Sequence, residues 1–252
     1  MIDPTLIAQF GVRLARPAMV ASMTPSLGGP SVPALVKVGL AVFLTIALWP
    51  VTALPASAPI DRMALVIARE VAIGFALALS GVLVLAVAEM AGSFVAFQLG
   101  FSYAVVVDPQ TSARNNVLGV MYGMLAVLTF LAIDGHHAVI RALASSYDAL
   151  PIGGGAVDAS LVATVGRMLA TVFSVGVRIA SPIVVGLLVA EVGLGLLARG
   201  APMLNVMAVG FSIRVFAGLL ILFYTLDAVP RALAITTSGA LELAARLMMA
   251  MK

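Results

Sequence analysis

The chain has 252 residues, 62% of them hydrophobic and only 10% charged, with a formal net charge of +3 and no cysteine. A soluble domain carries about 45–50% apolar and about 25% charged residues, so water cannot be the solvent for most of this surface and the membrane class comes before any fold argument. The fourteen basic residues occur without a run, which points to a weak preference for anionic lipid heads and away from nucleic acid. Without a thiol there is neither a disulfide framework nor a thiolate site.

Residues 1–17 put an acid and a proline first and basic residues last, unlike a cleavable signal peptide, so the N-terminus is expected to be retained. Residues 6–20 read as a first helix interrupted by Arg13 and Arg16, and three prolines with two glycines in residues 24–33 break the chain after it. Residues 34–51 read as a second helix, closed near Pro50, and residues 52–59 as a proline-rich connection. The third segment, 63 to about 100, is too long for a bilayer core of about 30 Å. It must bend at Gly74, Gly81 or Gly92, or pack largely on protein, and Arg69, Glu70 and Glu89 favour the second option.

A polar turn at 108–116 precedes an apolar helix at 117–133, a short segment through Tyr147, and a glycine-rich turn at 151–158. Residues 161–197 are again overlong, and Pro182 is expected to divide them. Residues 201–205 break the chain before a helix at 206–226, and 231–252 space Leu233, Leu241, Ala244, Leu247, Met248 and Met251 on one helical side. The fold class is therefore all-α, a polytopic membrane protein of long, broken helical hairpins, read as a single domain over residues 1–252. Lys and Arg alternate too evenly along the connections to orient it by the positive-inside rule.

Four small residues, Ala88, Gly92, Ala96 and Gly100, recur every four positions and form a stripe suited to close helix packing, with Gly119 and Gly123 a shorter example. Glu70, Glu89, Arg178, Glu191, Arg199 and Arg214 are ionisable residues in apolar helices, which ordinarily pair between helices or line a wet cavity. No nucleophile with a base, carboxylate pair or metal cluster is visible. His136 and His137 are the only histidines, and adjacent helical residues diverge by about 100°, so a cap or interfacial contact is expected there and not a metal site. Gly193 and Gly195 lack the preceding strand of a phosphate-binding turn and are expected to serve helix packing. No cofactor or catalytic residue is expected.

The stretch Glu89-Met90-Ala91-Gly92-Ser93-Phe94, continuing through Gln98-Leu99-Gly100-Phe101-Ser102-Tyr103 to Asp108-Pro109, resembles the FliR family of flagellar protein-export gates. Asp134-Gly135-His136, Leu150-Pro151-Ile152-Gly153, Ala180-Ser181-Pro182 and Gly195-Leu196-Leu197-Ala198-Arg199-Gly200-Ala201-Pro202 with Asn205 add to the likeness, which runs from about Arg16 to Phe223. Met203 departs from it, since the family commonly has glutamine after that proline. The resemblance implies assembly with FliP, FliQ and an FlhB-type protein in the bacterial inner membrane, at the flagellar basal body. It also implies a narrow channel for unfolded export substrates, driven by an ATPase and the proton motive force supplied elsewhere. In such a channel the matching positions of the obstructing plug would be Val106, Val107, Asp108, Pro109, Gln110, Thr111, Ser112, Ala113, Arg114, Asn115 and Asn116. The family resembles a component of virulence type III secretion injectisomes, which is one alternative. A small secondary transporter with helices broken at Pro182 and Pro202 is another.

Overall fold

Proline and glycine punctuate the apolar runs into helices in a computed structural model that describes residues 4–29, 32–52, 63–101, 117–154, 159–200 and 206–250. In chain order these are α1 (Pro4–Met23), the one-turn α2 (Pro25–Gly28), α3 (Ala34–Ala47) and a 3-10 turn at Trp49–Val51. The longer elements follow as α4 (Met63–Leu99), α5 (Val117–Ala132), α6 (Gly135–Ala149), α7 (Ala159–Gly200), α8 (Val206–Thr225) and α9 (Ala228–Ala250). No strand occurs among the described residues. Helices α4 and α7 are each long and apolar enough to cross a membrane, and the pairs α5 with α6 and α8 with α9 qualify as broken spans.

The helix boundaries have local causes. Gly100 takes φ 85° just past α4, its N–H donates to Phe97 O at 3.0 Å, and the Phe101 N–H donates to Ala96 O at 3.0 Å. Those two bonds satisfy carbonyls that the helix end would leave open, and only glycine adopts that conformation cheaply. Between α5 and α6 the chain turns at Asp134, itself left-handed at φ 56°. A Cβ on the next residue, Gly135, would stand 2.6 Å from the Phe130 ring.

Two expectations are corrected. Pro182 does not divide the long seventh segment: α7 runs unbroken for 42 residues with Pro182 inside it. Proline removes the N–H that would bond the carbonyl four residues earlier, here that of Arg178, and the Ser181 hydroxyl donates to that same carbonyl at 2.8 Å. Nor do Arg13 and Arg16 interrupt the first helix, since α1 passes through both and each is buried.

The chain divides into two compact units, one of residues 1–84, 130–170 and 236–252, the other of 85–129 and 171–235. The first has a core built around Val12, Val20, Ile73, Leu77, Phe130 and Leu143. The second packs α4 against α5, α7 and α8: the Phe94 and Phe173 rings meet edge-on with centroids 6.2 Å apart, and a Cβ at Gly218 would overlap Leu99. Helices α4, α5, α7 and α9 each contribute residues to both units.

Candidate functional site

Two charged side chains lie at the centre of the first unit. Arg16 of α1 and Glu70 of α4 are 0% and 1% exposed and form an ion pair through Arg16 Nε and Glu70 Oε2. Moving an ion out of water costs several kcal/mol after relaxation, so both groups need full complements of partners. Arg16 Nη2 donates to Glu70 Oε1 at 3.2 Å and to the Leu150 carbonyl at 2.7 Å. Its Nη1 donates to the Ser146 carbonyl and hydroxyl, both at 3.1 Å. The guanidinium also lies over the Tyr147 ring, 4.6 Å from its centroid.

Close helix approach makes this geometry available. Gly74 sits one turn beyond Glu70, and a Cβ there would stand 2.9 Å from the Arg16 Cα and carbonyl oxygen. Only a glycine lets α4 come near enough to α1. The carboxylate then reaches further: Glu70 Oε1 accepts from the Gly153 N–H at 3.0 Å, while neighbouring Arg69 donates to the Gly153 carbonyl at 3.1 Å. Consecutive residues of α4 thus clasp both polar groups of one glycine that itself has φ 80°. A second arginine, Arg13, stacks its guanidinium 4.0 Å above the Trp49 ring and donates to the Thr52 carbonyl at 3.2 Å.

In the second unit the two small-residue series meet each other. A Cβ at Gly92 would lie 2.5 Å from the Leu118 carbonyl oxygen and 2.7 Å from Gly119 Cα, and one at Gly123 would lie 3.3 Å from Glu89 Cγ. Ala88 and Ala96 are buried on the same helix. Gly100 is buried too, yet it lies past the helix end, where it terminates α4 instead of continuing the stripe. Gly193 and Gly195 have open space at the Cβ position, so neither serves as a close contact among the described residues.

The other ionisable residues divide. Glu191 of α7 pairs with Arg214 of α8 at 3.0 Å, and Gln98 of α4 donates to the same carboxylate at 3.5 Å. Glu89, Arg178 and Arg199 are exposed and have no ion pair among the described residues. The plug positions 106–116 lie outside the described residues. The sequence singles out Glu70 but not its partner; the available signal is an arginine beside Pro17 within an otherwise apolar stretch.

Comparison with known proteins supplies the context. Residues 7–238 match the family described as bacterial export proteins, family 1. The flagellar biosynthetic protein FliR of Escherichia coli (strain K12) is 34% identical over 209 residues, 82% of this chain and 79% of that protein. FliR of Bacillus subtilis (strain 168) is 29% identical over 212 residues, covering 81% of each. A more distant relative is the surface presentation of antigens protein SpaR of Shigella sonnei, 25% identical over 155 residues. With a family match over residues 7–238 and a FliR 34% identical over most of both chains, the chain belongs to the bacterial export proteins, family 1, the family of FliR.

Proposed function

We propose that this protein is a structural component of the flagellar protein-export gate, forming part of a protein-conducting channel together with FliP-, FliQ- and FlhB-type partners in the bacterial inner membrane. The supporting observation is the unequal cover on its two longest helices. The best apolar window of α4 is 61% buried by the chain itself, whereas that of α7 is only 22% buried. At 1.5 Å per residue α7 is about 63 Å long, twice the hydrocarbon thickness of about 30 Å. Lipid can therefore cover only part of a surface that carries Phe173, Val189, Val192 and Leu197 outward, and apolar helices of other subunits suit the rest.

The exposed charges fit the same reading. Glu89, Arg178 and Arg199 would find their counter-charges on partner helices, because an ionisable group left alone at membrane depth is costly. In this scheme residues 1–252 act as one domain, a reading supported by the four helices that run from one compact unit into the other. The role is non-enzymatic: unfolded substrates pass without covalent change, and residues 106–116 obstruct the path when it is idle.

Purification in mild detergent tests the assignment. Co-expressed with hairpin partners from the same apparatus, the chain is expected in a stoichiometric complex and in poor yield when expressed alone. Recovery of a stable, monodisperse single-chain particle with transport activity of its own would replace the gate by a secondary transporter.

A further inference from the structure

The turn between α5 and α6 gathers three side chains that the export reading leaves unused. Asp134 immediately precedes α6, yet its carboxylate makes no capping bond to the helix, the interaction that ordinarily favours aspartate at such a position. Asp134 Oδ1 stands 3.0 Å from His137 Nδ1 instead. The His136 and His137 rings lie with centroids 4.1 Å apart. One ligand-capable atom from each of the three residues falls within 4.8 Å of the other two. His136 Nδ1 is shielded and has no hydrogen-bond partner among the described residues.

The divergence of neighbouring residues on an ideal helix argued against a shared ligand. In the structure the acid comes from the turn, and the two imidazoles lie tilted by 37° at the helix start, with centroids 4.1 Å apart. Around a tetrahedral zinc ion with bonds of about 2.0–2.2 Å, ligand atoms sit roughly 3.3–3.5 Å apart. The Asp134–His137 pair, at 3.0 Å, is near that spacing, and His136 brings a third ligand atom within 4.8 Å of both. Two imidazoles and one carboxylate form a nitrogen-oxygen donor set of the kind zinc takes, with one coordination position left open. Neutral imidazole is the form that ligates. The aspartate supplies counter-charge for the metal.

We infer that Asp134, His136 and His137 form a surface site for a divalent cation of the zinc class, holding the turn before α6 in place. The test uses the full chain in its detergent-solubilised assembly, without a polyhistidine tag, stripped by chelator and titrated with zinc chloride against a chromophoric competitor. Wild type is expected to take up one zinc per copy more than either His137→Gln or Asp134→Asn, or to bind it at least tenfold more tightly. Cobalt(II) added to stripped wild type should give a visible absorption band that both variants lose. His137 and Asp134 are 59% and 69% exposed, so the variants should keep wild-type helicity by circular dichroism. Equal zinc uptake and affinity in wild type and both variants, or no uptake by wild type at micromolar zinc, would overturn the site and leave the Asp134–His137 contact as a plain hydrogen bond.

Discussion

Arg16 and Glu70, 54 residues apart in the chain, meet as a buried ion pair whose partners include three backbone groups, the Ser146 and Leu150 carbonyls and the Gly153 N–H. Each backbone group belongs to α6 or to the connection after it, so one pair of side chains ties α1, α4 and that connection together. Removing one member leaves a charge stranded without water. Arg16→Met or Glu70→Gln should each lower stability by roughly 3–5 kcal/mol, seen as loss of folded protein in detergent melts. The double variant Arg16→Met/Glu70→Leu should recover part of that loss, since no buried charge is left unpaired, the residual cost being the Ser146 and Leu150 carbonyls and the Gly153 N–H that lose their side-chain partners. A double variant as damaged as the sum of the singles would show that the pair is not the energetic unit.

Gly92 and Gly193 offer a matched comparison on two long helices. Alanine at Gly92 would drive its Cβ into the Leu118 carbonyl and Gly119 Cα, backbone atoms that cannot rotate away, and overpacking of this sort costs roughly 1–3 kcal/mol. Alanine at Gly193 meets open space and should be neutral, or stabilising by up to about 1 kcal/mol through helix propensity. Melting temperatures of the two variants in the same detergent would check the contrast.

Ser181 and Pro182 should be coupled. Ser181→Ala leaves the Arg178 carbonyl without its hydroxyl donor and should cost about 0.5–1.5 kcal/mol. In a Pro182→Ala background the restored N–H bonds that carbonyl, and the serine change should then cost nearly nothing. A double-mutant cycle read by thermal unfolding distinguishes this from two independent effects.

Deleting Thr111 through Arg114 should leave the assembled complex intact while opening a leak, measured as growth sensitive to salt or sugar. Cysteines placed at Gln110 and Ser112 should crosslink to a substrate arrested in transit. A tight membrane with no crosslink would remove the plug role from residues 106–116. The motive is chemical: Gln110, Thr111, Ser112, Asn115 and Asn116 are polar residues between two apolar stretches of the sequence, and polar groups at membrane depth survive only in protein or beside an aqueous cavity.

Helices were legible because their signals are local. Composition and overlong apolar segments identify the class, and the starts of α3, α4 and α5 follow from where proline and polar residues stop. Pro182 shows where local reasoning fails: the residue that breaks the rule is repaired by the serine beside it, a bond that requires a hydroxyl in one rotamer. Arg16 shows the larger limit. An arginine in an apolar stretch reads as an interruption until a carboxylate 54 residues away and a glycine one turn beyond that carboxylate are brought to it. Glycine spacing was informative about the Gly92 contact but silent on its partner, and the helix-packing role expected of Gly193 and Gly195 finds no neighbour among the described residues of this chain.

The interleaving of the two units sets an order of events on the ribosome. The second unit is complete at residue 235, but the first still lacks residues 236–252, among them Leu241 and Ala245, which pack against its core. Val12 of that core must therefore wait while more than 200 further residues are synthesised, about 10–45 seconds at typical elongation rates. During that interval the nascent first helix presents an unfinished apolar face, and until Glu70 is made it presents an unpaired Arg16 as well. The pairing of Arg16 with Glu70 becomes available about 54 residues after Arg16 emerges, early enough to neutralise that charge long before the last helix closes the unit.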